Sequence, residues 1–291
     1  MKLIGFNYKE SSSSGEPWRV EDLTFSDFNL IVGRNATGKS RLLRSIVRSA
    51  AAISGEDQSP GRKFEFEVRF DEDFPEANLD WARRLQYFPF AGEMLFKRSR
   101  STSEVRLAAA ELFKLGSDTF GDIFQERVLQ HIVDAGYSIS EITQVDRGPG
   151  ARSLEFKESK RRTNTALRHL SQAQQRITIF FVYLTFLELD KRPATILVDD
   201  FAEGLDFEHS AKLAKKILRD YANLPLQFIV ATNDRYVMNV VPLERWTVLV
   251  EEGETTRVFN YHNSKQKFDE FKFTGLSNFD FFSMDFAGGS T

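Results

Sequence analysis

The chain has 291 residues, a formal net charge of −3 at pH 7 and no cysteine. The absence of cysteine excludes disulfides, thiolate zinc sites and cysteine nucleophiles, so a metal site must use oxygen ligands or the four histidines. A pI near 5.9 excludes a global basic field that attracts nucleic acid, but it leaves room for a local basic patch.

The chain begins with three predicted strands, because residues 2–8, 18–23 and 30–32 have extended, apolar patterns. The first residues lack the charged segment, apolar stretch and cleavage site of a secretory signal. The longest apolar stretch, residues 177–189, is shorter than the roughly 20 residues that cross a bilayer. We therefore expect a cytoplasmic protein without a membrane partner.

The third strand leads into a glycine-bounded loop that reads G-x-x-x-x-G-K-S, the phosphate-loop signature. The residues expected to contact the nucleotide are Gly33, Arg34, Asn35, Ala36, Thr37, Gly38, Lys39, Ser40 and Arg41. Glycine at both ends lets backbone N–H groups wrap a phosphate chain. We expect Lys39 to neutralise the β- and γ-phosphates and Ser40 to ligate Mg²⁺. A helix predicted from Lys39 to about Ala52 adds the positive end of its dipole.

Residues 64–70 alternate apolar and charged side chains, which predicts a strand with one wet face. Its carboxylates, Glu65 and Glu67, are interpreted as part of that solvated face, with a metal site as the alternative. A short strand is predicted over residues 93–97. The Phe-Pro-Phe sequence at 88–90 predicts an edge or bend before it.

The middle of the chain, residues 101–168, is interpreted as a mostly helical subdomain inserted into the core. Helices are predicted over 107–115 and 124–135, and a hairpin over 139–146 and 153–158 around Gly148-Pro149-Gly150. A local basic cluster comprises Lys157, Lys160, Arg161, Arg162 and Arg168. Because glutamates are interleaved with it, a solvated face is favoured over a contact to DNA phosphates.

Two further groups of candidate residues follow. Leu-Ser-Gln-Ala-Gln-Gln-Arg at 170–176 precedes an apolar helix, and a largely apolar run at 195–198 leads into Asp199 and Asp200. Such a run predicts a buried parallel strand that delivers a carboxylate to the edge where α/β sheets bind ligands. We predict that Asp199 holds Mg²⁺ opposite Ser40, and that Asp200 orients or deprotonates the attacking water.

In this order, the phosphate loop, a Leu-Ser-x-x-Gln element, the strand ending in two aspartates and the loop Gly204-Leu205-Asp206 resemble the ABC-type ATPase heads. The chain is most similar to the SMC, RecF and OLD-like branch, often labelled AAA-family ATPases in bacterial defence systems. The resemblance covers most of the chain. It implies an α/β P-loop fold of the ABC-head type, with a mixed central sheet and an inserted, mostly helical subdomain.

The resemblance also implies a site shared between two subunits. In that family two heads enclose two ATP molecules, each bound by the phosphate loop of one subunit and the signature serine of the other. Ser171, with Gln174 in the same element, is therefore expected to contact ATP held by a second copy. Asp206 lies in the loop expected to communicate between the two sites.

Several positions depart from the family pattern. Asp200 stands where the family usually has glutamate, and its shorter reach predicts slow turnover. Asn233 occupies the position of a switch histidine, so it can hydrogen-bond a γ-phosphate oxygen but cannot carry a proton. Ala173 replaces a glycine of the signature. Gln86 is a candidate for the strand glutamine that lies near Mg²⁺ in the family.

The remaining segments complete the predicted core. We expect strands over 227–231, 246–251 and 257–261, a helix over 207–223, and a short helix between Asp234 and Pro242. The tail, residues 264–286, is rich in phenylalanine; its rings are expected to pack on the core, with a docking segment as the alternative. The predicted domain is a single ABC-type unit over 1–291. It comprises a core (1–100 and 169–262), the inserted subdomain (101–168) and the tail (263–291).

The combined prediction is a slow Mg²⁺-dependent ATPase in which Lys39, Asp200 and Asn233 are catalytic. It is expected to form a homodimer through ATP. The chain contains no recognisable effector after residue 200, so the output is expected in a separate nuclease or toxin subunit, with antiviral defence as the implied setting. Two alternatives stay open: a non-hydrolysing ATP sensor or scaffold, and a DNA-repair head that grips duplex DNA.

Overall fold

The computed structural model describes residues 1–10, 18–56, 64–72, 77–99, 104–146, 148, 152–158, 163–253 and 255–286. The strands are β1 (Leu3–Glu10), β2 (Arg19–Thr24), β3 (Phe28–Gly33), β4 (Phe64–Phe70), β5 (Gln86–Pro89), β6 (Phe96–Ser99), β7 (Glu104–Leu107), β8 (Ile139–Asp146), β9 (Arg152–Glu158), β10 (Thr165–Ala166), β11 (Ala194–Asp199), β12 (Leu226–Ala231), β13 (Trp246–Glu252) and β14 (Thr255–Asn260). The α-helices are α1 (Lys39–Ser54), α2 (Ala77–Arg84), α3 (Ala109–Phe120), α4 (Asp122–Asp134), α5 (Gln172–Asp190), α6 (Phe207–Asp220), α7 (Arg235–Val240), α8 (Lys265–Lys272) and α9 (Asn278–Ser283).

Within the described ranges, the central sheet has the strand order β4-β1-β2-β14-β13-β3-β12-β11-β5. Strands β13, β3, β12, β11 and β5 run parallel to one another. This agrees with their nearly continuous apolar sequences, because parallel strands are buried on both faces. On the other side of the sheet, β14 is antiparallel to β13 and β2 pairs with β14 in parallel, and β1 and β4 then add antiparallel pairings. The predicted mixed sheet is confirmed.

The parallel part of the sheet determines where the candidate site lies. Strand β12 separates β3 from β11, with Val230 opposite Leu30 on one side and Val198 on the other. The three strands therefore end at the same edge. The phosphate loop after β3, the two aspartates at the end of β11 and the residues after β12 all emerge there.

Hydrophobic cores form on both faces of the sheet. On one face, Leu42, Leu43 and Ile46 of α1 pack against Leu197 and other strand residues. On the opposite face, α3 and α4 share one core with α5 and α6. Helix α5 is apolar around most of its circumference because it is buried in the centre of that core.

A buried lysine joins α6 to α4. Lys216 is 4% exposed, and its Nζ lies 2.7 Å from carboxylate oxygens of both Asp134 and Asp220. Two carboxylates compensate the desolvated ammonium, which is the arrangement that a buried charge requires.

The aromatic tail folds back on the core. Phe268, Phe271 and Phe281 are at most 1% exposed and belong to the same core as α5, which confirms the packing prediction for these rings. Phe273, in contrast, is 90% exposed. The sequence reading did not identify the two helices, α8 and α9, that carry this cluster.

Some predicted boundaries were wrong. The strand expected over 93–97 is β6, Phe96–Ser99, and α2 and β7 were not predicted. The hairpin of β8 and β9 is confirmed as an antiparallel pair. Two residues of its predicted turn, Pro149 and Gly150, lie outside the described residues, as do three members of the basic cluster, Lys160, Arg161 and Arg162.

The alternating strand β4 presents Glu65 and Glu67 as exposed side chains, which confirms a solvated face. In the part of the chain that the structure describes, no helix is both long and apolar enough to cross a bilayer.

Candidate functional site

The phosphate loop forms a concave turn between β3 and α1. A Cβ at Gly33 would lie 2.9 Å from the Leu249 carbonyl oxygen, so only glycine fits without moving the backbone. Ala36 and Gly38 have φ values of 68° and 93°, in the left-handed region. The Thr37 hydroxyl closes the turn by donating to the Arg34 carbonyl at 2.9 Å. Such a turn lets successive N–H groups converge on an anion.

Lys39 is held inside this loop. It is 8% exposed, and its Nζ donates to the Gly33 carbonyl at 2.6 Å and to the Arg34 carbonyl at 3.0 Å. Burial lowers the pKa of Lys39, and the charges of Asp200 and Asp199 partly oppose that shift. The ammonium therefore lies beside two carboxylates at the position where a phosphate-loop lysine meets its nucleotide.

Ser40 and Asp199 are in contact. The Ser40 hydroxyl donates to Asp199 Oδ1 at 2.9 Å, and Asp199 is 3% exposed. The structure thus brings together the two residues predicted to hold Mg²⁺. A hydroxyl and a carboxylate oxygen are hard ligands of the kind that Mg²⁺ prefers, so the donor set fits this ion.

Asp200 directly follows β11 and has a φ of 52°, in the left-handed region. Partial desolvation raises the pKa of Asp200, and the neighbouring charges of Asp199 and Glu203 raise it further, against the opposing effect of Lys39 and Arg44. A raised pKa makes this carboxylate a better proton acceptor, which suits a group that orients or deprotonates water.

Asn233 lies at the same edge, after β12. The preceding Thr232 anchors this turn, because its backbone N–H donates to the Ile31 carbonyl at 3.2 Å and its hydroxyl donates to the Phe201 carbonyl at 2.8 Å. The Asn233 side chain itself is exposed. The geometry leaves its amide accessible to a ligand at the strand ends.

Ser171 begins α5 through a reciprocal cap. The Gln174 backbone N–H donates to the Ser171 hydroxyl oxygen at 3.2 Å, and the Ser171 N–H donates to Gln174 Oε1 at 3.0 Å. Both residues are at the surface end of the helix. Among the described residues, no hydrogen bond joins Ser171 to the phosphate loop of its own chain, so these two predicted parts of the site are not brought together within one chain.

The loop after Asp200 is tied to α5. Arg176, in the first turns of that helix, donates to the Glu203 carbonyl. Further along the loop, the Asp206 carboxylate caps α6 by accepting from the backbone N–H groups of Glu208 at 3.1 Å and His209 at 3.0 Å. These backbone bonds, with the His209 ring, lower the pKa of Asp206. The loop between Asp200 and Asp206 is therefore anchored at Glu203 and at Asp206.

The prediction for Gln86 is wrong. Its side-chain amide donates to the Lys97 carbonyl at 2.8 Å, and its oxygen accepts from the Lys97 N–H at 2.9 Å. Gln86 also begins β5, opposite Ile196, whereas Asp199 lies opposite Pro89 at the other end of that strand. Its amide is therefore both occupied and at the opposite end of the strand from Asp199.

The predicted nucleotide residue Arg41 points toward β1. Its guanidinium donates to Glu10 at 2.5 Å and lies 5.3 Å from the centre of the Trp18 ring. Trp18 also packs on the phosphate loop, because a Cβ at Gly38 would come within 3.2 Å of the ring. Sequence reasoning missed this support from Trp18, which only the pairing of β2 with β14 places beside the loop.

Sequence reasoning also missed Tyr87. The Tyr87 hydroxyl donates to Asp199 Oδ2 at 3.0 Å. Burial raises the pKa of Tyr87, and the adjacent Asp199 raises it further, so the phenol stays protonated and acts as a donor. No local motif predicts this contact, since it depends on the register between β5 and β11.

Residues 59–239 match the family model described as "AAA domain, putative AbiEii toxin, Type IV TA system". The match begins after the phosphate loop, so the assignment of that loop rests on its own motif and geometry. No match to a curated protein was found.

Solved structures share the fold. An SMC head bound to the C-winged helix domain of ScpA has a TM-score of 0.61 at 11% identity, covering 89% of this chain and 97% of that chain. An Smc head with an extended coiled coil bound to the C-terminal domain of ScpA, derived from Pyrococcus furiosus, has a TM-score of 0.55 at 10% identity, covering 93% and 100%. The protein cbiO1 from Clostridium perfringens, part of the ABC transporter complex cbiONQ, has a TM-score of 0.52 at 15% identity, covering 94% and 93%. The fold is that of a P-loop ATPase head of the ABC and SMC type.

Proposed function

We propose that this chain is a slow, Mg²⁺-dependent ATPase that acts as a switch. The premise is that the chain belongs to the family described as "AAA domain, putative AbiEii toxin, Type IV TA system". The observation that carries the proposal is the 2.9 Å hydrogen bond between Ser40 and Asp199, beside the buried Lys39. A phosphate cradle, a cation and two oxygen ligands for Mg²⁺ then lie at one edge of the sheet.

The reaction would be in-line attack of water on the γ-phosphate. Bound Mg²⁺, held by Ser40 and Asp199, supplies charge neutralisation to the phosphate oxygens. Lys39 stabilises the charge that develops on the transferred group, and Asp200 orients the water. Asn233 adds a hydrogen bond without a proton to give. The shorter reach of aspartate than of glutamate supports slow turnover.

We further propose that ATP joins two copies of the chain head to tail. Ser171 supports this, because its oxygen accepts the Gln174 N–H and, within the described residues, its hydroxyl hydrogen has no acceptor, so it can donate to a phosphate oxygen. Helix α5 has 19 residues, so its N-terminus also carries a positive dipole end. When two copies close around ATP, Arg176 would transmit the movement of α5 to the loop that leads to Asp206, through its hydrogen bond to the Glu203 carbonyl.

The output of the switch is proposed to lie in a separate protein. The family description names a toxin–antitoxin system, which supports a toxin partner. The nuclease alternative and the cytoplasmic, anti-phage setting are proposed from the resemblance to ATPases of bacterial defence systems. The described residues form the ATPase core and the elements that pack on it.

Phosphate release tests the proposed activity. We expect Asp200→Asn to lower turnover about 100-fold, in the range that a positioned acid or base contributes, while ATP binding is kept. Asp118→Asn is the matched control, because Asp118 is an exposed aspartate of α3 paired only with Lys114. Equal turnover in wild type and Asp200→Asn would contradict the catalytic assignment. An inactive wild type that binds ATP would instead favour a non-hydrolysing sensor.

A further inference from the structure

We propose that Tyr87 is a positioning residue for Asp199, the aspartate proposed to bind magnesium; this inference rests on the proposed nucleotide site. Both oxygens of Asp199 are hydrogen-bonded, Oδ1 to Ser40 at 2.9 Å and Oδ2 to Tyr87 at 3.0 Å. Two donors on opposite oxygens fix the plane of the carboxylate. Among the described residues, loss of the Tyr87 hydroxyl leaves Ser40 as the one side-chain donor to this carboxylate.

The strand register explains why tyrosine reaches this aspartate. Tyr87 is opposite Leu197 on the neighbouring strand, two residues before Asp199. Two residues of strand span about 6.6 Å, which a tyrosine side chain covers when it leans along the strand. Tyr87 and Gln86 point to opposite faces, because side chains alternate. Tyr87 therefore faces α1, which carries Ser40, while the Gln86 amide is occupied by Lys97.

Partners that orient a metal ligand typically account for about 10-fold to 100-fold in metal affinity. For Tyr87→Phe we therefore expect the Mg²⁺-dependent gain in nucleotide affinity to fall about tenfold or more. The gain is the ratio of the affinities for a fluorescent, non-hydrolysable ATP analogue measured with Mg²⁺ and with EDTA. Affinity in EDTA should stay unchanged, because the phosphate loop does not include Tyr87.

Tyr261→Phe is the matched control. It removes a hydroxyl that donates to an aspartate, Asp269, at 2.7 Å, but on a surface formed by the tail. We expect this variant to keep the full Mg²⁺-dependent gain.

The outcomes separate the inference from the proposed function. A wild type that binds no nucleotide under either condition overturns the ATP site and this inference with it. A wild type with a Mg²⁺-dependent gain that Tyr87→Phe retains within twofold overturns only the role of Tyr87. An equal loss of affinity with Mg²⁺ and with EDTA assigns Tyr87 a structural role and also overturns the inference.

Discussion

Removal of the ring of Phe281 tests whether the aromatic tail is part of the common core. Phe281 is fully buried on α9, and its ring centre lies 4.6 Å from that of Phe268 and 5.1 Å from that of Phe271. Trp246 of β13 approaches it at 6.3 Å. Phe281→Ala leaves a cavity between the tail and the sheet. Buried phenylalanine-to-alanine changes cost about 3–5 kcal/mol, so we expect a decrease of that size in the free energy of unfolding.

Phe273→Ala is the internal control, because the same substitution removes a ring that is 90% exposed. It should change the free energy of unfolding by no more than about 0.5 kcal/mol. Urea denaturation followed by circular dichroism measures both variants, and limited proteolysis reports whether the tail has detached. A Phe281→Ala protein as stable as wild type, or equal effects of the two changes, would refute the packing and favour a docking role for the tail.

Three further predictions concern the cap, the buried lysine and the phosphate loop. Ser171→Ala removes the capping serine of α5, and Ser277→Ala removes the N-cap serine of α9, whose hydroxyl donates to Asp280 Oδ2 at 2.7 Å. Each change should cost about 1 kcal/mol in urea denaturation. Only Ser171→Ala should abolish an ATP-dependent dimer in sedimentation, and dimer loss in both would contradict this. Lys216→Met should cost about 3 kcal/mol, because two carboxylates lose their cation. Burial raises the pKa of Asp134 and Asp220, but hydrogen bonds from Lys216 and other neighbours outweigh burial and hold each pKa below 3.8. The stability that the two aspartates provide is therefore present above pH 3.8 and is lost as the pH falls below it. Acid titration of unfolding should show this loss in wild type and a smaller one in the variant; equal profiles would contradict it. Gly33→Ala should weaken binding of a fluorescent ATP analogue about tenfold or more, because overpacking costs about 1–3 kcal/mol, and unchanged affinity would contradict the steric argument.

Local patterns were enough to predict the parts of the site that a single segment carries. The loop from Gly33 to Ser40 contains its own turn residues. The apolar content of residues 195–198, just before Asp199, is enough to predict a buried strand. Their meeting at one edge follows from a general property of parallel sheets. The strand, the helix and the contact between Ser40 and Asp199 were therefore within reach of sequence reasoning.

Contacts between distant segments were not within reach. Gln86 and Tyr87 are adjacent in the chain, and which of them faces α1 depends on the register of β5 against β11. Side-chain chemistry alone predicted that the glutamine lies near the proposed Mg²⁺ site. The strand register instead places the tyrosine beside Asp199. Similarly, the support from Trp18 arises only because β14 brings Thr256 next to the start of β2, where the indole N–H donates to its hydroxyl at 2.9 Å.

The tail shows a different limit. Phe268 and Phe271 are spaced as on one helix face, but α8 and α9 are short and rich in polar residues, so their apolar periodicity is weak. Their folding depends on rings contributed by both helices and by β13. Such mutual dependence is a tertiary property that propensity does not reveal.

The central claim is that ATP joins two copies of this chain, and the mass of the protein in solution tests it most directly. For Asp200→Asn, in which we expect turnover to be about 100-fold slower, we predict a dimer with ATP and Mg²⁺ and a monomer with ADP. Lys39→Ala should remain monomeric with either nucleotide. A protein that stays monomeric with ATP and Mg²⁺, or a dimer that forms equally without nucleotide, would contradict the account.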